Sequence, residues 1–196
     1  MRSTLPSLLL LFSSAAVAIQ AQAQGIVLLG DNASARRCYQ AAELAATSRL
    51  ASQEDIDQCS IALDHGSLKS RDRVATLVNR GVLYSAQENY TAARRDYDRA
   101  LKIPSHGGEV YANIGNLDFM LQNFDAALEH YAKAIAMGMP RVHVAHVNRG
   151  MVYEQTGRFQ AALNEYQTAK RLAPEWPKPI ELIERVNRKI ASRSQN

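Results

Sequence analysis

Three glycines, Gly81, Gly115 and Gly150, stand 34 and 35 residues apart, and each carries the same companions. Nine residues after each comes an aromatic: Tyr90, Phe124 and Phe159. Twelve after comes alanine (Ala93, Ala127, Ala162), sixteen after tyrosine (Tyr97, Tyr131, Tyr166) and nineteen after alanine again (Ala100, Ala134, Ala169). Asparagine precedes each glycine by two residues, at Asn79, Asn113 and Asn148, and Pro104, Pro140 and Pro174 close the units. A period of this size marks stacked supersecondary units, none of which can bury its apolar face alone. The chain is 46% hydrophobic, enough for a packed interior and too much for a disordered chain.

One unit can be derived from its residues. Ala93, Tyr97 and Ala100 follow an i, i+4, i+7 spacing on one helical face. The break at 87–89 leaves room only for a tight turn between two helices. Gly81 and Ala93 are small because helix backbones must pass closely there, and the aromatics fill the space between units. The terminal proline cannot continue its helix.

This pattern resembles the tetratricopeptide-repeat family. The resemblance covers residues 74–104, 108–140 and 143–174. It implies an all-α fold: a right-handed solenoid of antiparallel helix pairs, with helices A and B in each repeat. Residues 34–66 then form a degenerate N-terminal helical hairpin. Setting Ala62 on the last alanine slot puts Cys59 on the tyrosine slot and Glu43 on the glycine slot. Residues 175–192 form a C-terminal capping helix with an apolar stripe of Ile180, Ile183, Val186 and Ile190, and Trp176 is expected on the third repeat.

The resemblance also implies a concave groove, lined by helix A of each repeat, that binds a protein or peptide segment. Its slots here are Val78, Asn79, Val82 and Ser85; Ala112, Asn113, Asn116 and Phe119; and Val147, Asn148, Met151 and Glu154. An asparagine amide offers both donors and an acceptor to an extended backbone. The alternative role for Asn79, Asn113 and Asn148 is to bond the neighbouring repeat. Val82, Phe119 and Met151 would supply apolar pockets. Family members that bind carboxylates place Lys or Arg where this chain has Val78, Ala112 and Val147, so a clamp for acidic chain termini is not expected.

Two slots change together across the repeats. Arg80 and Arg149 precede their glycines, and Asp96 and Glu165 stand fifteen residues after. The middle repeat has Ile114 and His130 there, and Asp118 replaces Tyr84 and Tyr153. Salt bridges Arg80–Asp96 and Arg149–Glu165 are therefore expected within the outer repeats.

The first 23 residues have the grammar of a secretory signal peptide. Arg2 is followed by an apolar stretch from Leu8 to Ile19 and by Ala21-Gln22-Ala23. Cleavage there would remove Arg2, lower the formal net charge from +4 to +3, and leave 24–33 as a flexible mature N-terminus. The stretch is shorter than the ~18–20 residues of a membrane span, and no span is expected after cleavage. The protein is expected to be exported, to a periplasm or, as the alternative, by full secretion. An oxidising compartment favours joining Cys38 and Cys59, the two cysteines of the chain. Both lie on faces of adjoining helices, with Ser52 as N-cap of the second. Such a staple contributes ~3 kcal/mol in the chain-entropy treatment.

Catalytic signatures are missing. There is no G-x-S-x-G motif and no phosphate loop. His143 and His146 share a helix face without an H-E-x-x-H pattern or a third ligand, so neither a metal nor another cofactor is expected. Acids interleave with Arg94-Arg95 and Lys170-Arg171, which argues against nucleic acid. The reading is a non-enzymatic scaffold of the cell envelope that binds a protein or peptide. The alternative is a self-associating module.

Overall fold

The computed structural model describes residues 32–65, 67–104 and 107–193. The expected signal peptide, 1–23, lies outside the described residues, as does most of the expected N-terminal segment 24–33. Nine helices and no strands occur among the described residues: α1 (Ala33–Ser48), α2 (Gln53–His65), α3 (Ser70–Ala86), α4 (Tyr90–Leu101), α5 (Gly108–Met120), α6 (Phe124–Ala136), α7 (Val142–Gln155), α8 (Phe159–Leu172) and α9 (Lys178–Arg193). The fold is an all-α helical solenoid. Each helix packs on the next, and α1 also lies along α3. No described helix is long and apolar enough to cross a membrane.

The N-terminal hairpin begins one residue earlier than expected because Asn32 is a cap. Its side chain accepts the Ala35 amide at 3.0 Å. At α2 the Asp55 carboxylate accepts the Ser52 amide at 2.9 Å while Ser52 Oγ accepts the Asp55 amide at 3.2 Å, a reciprocal capping box. Cys38 and Cys59 form a disulfide between α1 and α2, and both are fully buried. They sit with Ala42, Ala45 and Ile56 against Val82 and Leu83 of α3, which seats the hairpin on the first repeat.

The glycine grid has a different cause from the one expected. It is a tyrosine ring, not a second backbone, that presses on each glycine. A Cβ on Gly115 would lie 2.8 Å from Tyr131 Cε1, and one on Gly81 or Gly150 would overlap the rings of Tyr97 or Tyr166. The three tyrosines are the largest fully buried side chains. Helix B of each repeat thus plugs its ring into the notch its own helix A leaves open.

The turns inside the repeats are also alike. Glu88, Gln122 and Gly157 occupy one slot, and all three have positive φ, at 61°, 60° and 73°. The following amides of Asn89, Asn123 and Arg158 donate back to the carbonyls of Tyr84, Asp118 and Tyr153 at 2.8–2.9 Å. This is a Schellman closure repeated three times, and it accounts for the constant three-residue break.

The capping helix docks with three residues of the expected stripe, Ile183, Val186 and Ile190, and turns Ile180 outward. Pro179, Leu182 and Val186 are its buried residues, whereas Ile180 is 38% exposed. Ile183 and Ile190 flank the contact. The α8 surface centres the contact on Leu182 and Val186. Trp176 packs on the third repeat, edge-on to His143 with ring centroids 5.3 Å apart.

Candidate functional site

Helices α3, α5 and α7 carry all twelve residues of the expected groove. Eleven of them are buried, and Phe119 is half-buried. Val78 packs with Leu77, Tyr97, Val110 and Ile114. Val82 belongs to the disulfide cluster under α1, and Met151 packs with Tyr166, Leu182 and Val186. The apolar pockets expected at Val82 and Met151 are therefore occupied by the hairpin and the capping helix. Phe119 leans on two clusters, its ring 6.0 Å from that of Phe124.

The asparagines form the polar part of this face. Asn79 and Asn148 are fully buried, Asn113 is 1% and Asn116 3% exposed. Buried amides must be hydrogen-bonded, and none of the four is without a partner. Asn148 Nδ2 donates to Asn116 Oδ1 at 2.8 Å, across the boundary between the second and third repeats. The same oxygen accepts the Tyr131 hydroxyl at 2.8 Å. Asn113 Nδ2 donates to the Glu109 carbonyl one turn earlier, at 2.9 Å. The bond between repeats, left open as an alternative from sequence, is present at Asn148.

Both expected salt bridges form. Arg80 grips Asp96 with two hydrogen bonds, at 2.7 and 2.9 Å, and reaches back to Ser60 Oγ of α2 at 2.9 Å. Arg149 meets Glu165 at 2.7 Å, and His146 takes the other carboxylate oxygen at 2.8 Å. Burial opposes ionisation of Glu165, but bonds from His146 and Arg149 outweigh it and hold the carboxyl below its ordinary range. The two histidines of the H-x-x-H pair thus turn to different partners, Glu165 and Trp176. Burial and the nearby Arg141 push His143 below its usual value, which favours the neutral ring at neutral pH.

For one groove slot, Glu154, sequence reasoning missed the partners. Glu154, at the end of α7, has no side-chain exposure. It accepts Arg185 at 2.7 and 2.9 Å, Lys189 at 2.8 Å and the Tyr166 hydroxyl at 2.8 Å. Burial raises its pKa, and the bonds from Arg185, Lys189 and Tyr166 more than reverse that, so the carboxyl stays ionised. The partners lie 31 and 35 residues away on α9. Only the odd placement of an acid on an apolar helix face could have flagged them. No cluster of three or more His, Cys, Asp or Glu side chains fit to hold a metal occurs among the described residues.

Comparison with known proteins follows the same lines. Two family models, both described as tetratricopeptide repeat, match residues 72–138 and 113–177. Among solved structures the chain is similar to MamA AMB-1, at 15% identity and a TM-score of 0.53, over 83% of this chain and 85% of that one. At that identity the likeness speaks for the fold.

Proposed function

The chain belongs to the tetratricopeptide-repeat family, and from that premise we propose that this protein-interaction scaffold holds a partner segment along α3, α5 and α7, in the cell envelope. The observation that carries the reading is the repeat pattern matched over 72–138 and 113–177, with a buried, internally bonded asparagine at one slot of three successive first helices holding that face in place. Phe119, half-buried between Asn113 and the turn, gives the same face an apolar contact. The disulfide inside the hairpin supports an oxidising compartment. The reading has no catalytic step.

Crosslinking in the envelope fraction tests this, comparing wild type with the Asn79→Ala, Asn113→Ala, Asn148→Ala triple variant once circular dichroism shows that the variant is folded. Partners lost only in the variant support the face. Unchanged partners move the site elsewhere. An intact mass that starts at Gln24 and retains the Cys38–Cys59 bridge tests export.

Self-association is the second reading. Leu44 and Leu50, 64% and 74% exposed at the hairpin end of the array, favour it. It predicts a mass that rises with concentration and falls in Leu50→Ser.

A further inference from the structure

An open pocket of about 690 Å³ lies between α4 and the C-terminal end of α5, away from the asparagine face. Four cations and one acid border it. Arg94 is bound to Asp98 at 3.1 Å and reaches Asp118 of α5 at 3.5 Å. Arg99 pairs with Asp96 at 3.4 Å. Arg95 and Lys102 remain, both exposed and with no carboxylate partner among the described residues. They are seven residues apart on one side of α4, a rise of about 10 Å, or roughly three residues of extended chain. Apolar side chains complete the wall. Leu121, at the end of α5, is 43% exposed, and Tyr90 and Leu117 extend the apolar surface inward.

We propose that this pocket is a docking site for an acidic protein segment, whose carboxylates meet Arg95 and Lys102 and an apolar side chain of which covers Leu121. Charge complementarity sets the sign of the partner. The apolar part of the wall selects a peptide over a free anion, which would leave Leu121 uncovered. The carboxylates already present hold Arg94 and Arg99 in place and do not neutralise the pair that faces outward. The site is independent of the asparagine face, so a partner can be held at both, and linked contacts raise the total affinity without any new contact surface.

A fluorescein-labelled peptide of alternating Glu and Leu, titrated into the full chain and followed by anisotropy, tests the site. Its counterpart with Gln for Glu is the control. The Glu peptide is expected to bind at least about tenfold more tightly, equivalent to ~1.4 kcal/mol. The Arg95→Glu, Lys102→Glu double variant should abolish that difference, Leu121→Ser should weaken the Glu peptide several-fold, and the exchange Arg95→Lys, Lys102→Arg should retain it. All these positions are exposed, and circular dichroism confirms folding of each variant. Equal binding of the two peptides, or a double variant that binds like wild type, overturns the proposal. So does binding of phosphatidylglycerol vesicles or inorganic phosphate at this site without binding of the peptide.

Discussion

The outer repeats and the middle repeat solve the same problem with different chemistry. In the first, Arg80 spans from α3 to Asp96 on α4, and in the third, Arg149 spans from α7 to Glu165 on α8. The middle repeat lacks both partners. Asp118, on α5 where the others have tyrosine, bonds His130 of α6 at 2.7 Å instead. His130 also stacks on Tyr111, centroids 6.1 Å apart, and Asp118 takes Arg94 from the repeat before. The difference lies in what survives a deletion. A guanidinium stripped of its acid stays charged, and Arg80 is only 11% exposed, whereas Arg94, the guanidinium held by Asp118, is 45% exposed and keeps its water. The outer repeats are therefore the more brittle, although all three share one backbone grid. The two outer pairs also differ. Arg80 is bidentate, but Arg149 shares its acid with His146 and leaves a buried Nε unpartnered.

The largest expected effect breaks this contrast at its strong end. Asp96→Ala strands Arg80, which is only 11% exposed, and should cost about 3 kcal/mol in urea unfolding. Asp118→Ala should cost about half that. Equal losses would remove the distinction between the repeats. Next comes a substitution to which all three repeats should respond alike. Gly115→Ala drives a methyl into the Tyr131 ring and should cost about 2 kcal/mol, as should Gly81→Ala against Tyr97. A loss in one repeat but not the other would show that the ring-in-notch contact is not shared.

The third repeat differs again in acid. Glu154 and Glu165 are both held below the ordinary carboxyl value of 4.5. Their contribution is complete above that value and is lost as pH falls through the folded values. Trp176, the one tryptophan of the chain, sits on this repeat and reports on it. Its fluorescence should change below pH 4.5 before helical circular dichroism is lost. Glu154→Gln should remove part of that pH dependence while weakening the hold on α9. The smallest effect concerns the turns. Gln122→Gly removes a left-handed strain that the third repeat avoids with Gly157, and should raise Tm by about 2–4 °C. Gly157→Ala should lower it by a similar amount.

Local spacing made much of this legible. The i, i+4, i+7 patterns gave the helices, and co-variation between two slots placed both Arg–acid pairs. Two cysteines on facing helices in an exported reading gave the staple. What escaped has a common physical origin: it depends on contacts between elements that no local pattern encodes. Glu154 meets Arg185 and Lys189 only because α9 folds back. Ile180 and Leu182 are equally apolar, and the α8 surface decides between them. The left-handed slot was hidden because only Gly157 announces it, while Glu88 and Gln122 accept the same geometry. The groove slots landed on the expected helices, yet their depth of burial was not readable from residue type.

The central claim is that the face of α3, α5 and α7 meets the partner. A photoreactive benzoylphenylalanine in place of Phe119 places a probe on that face, and the same group in place of Asp125, exposed on α6, is the control. After irradiation of cells carrying each form, the account predicts one discrete crosslinked partner from position 119 and none from 125. A partner captured from 125 and not from 119 would contradict it.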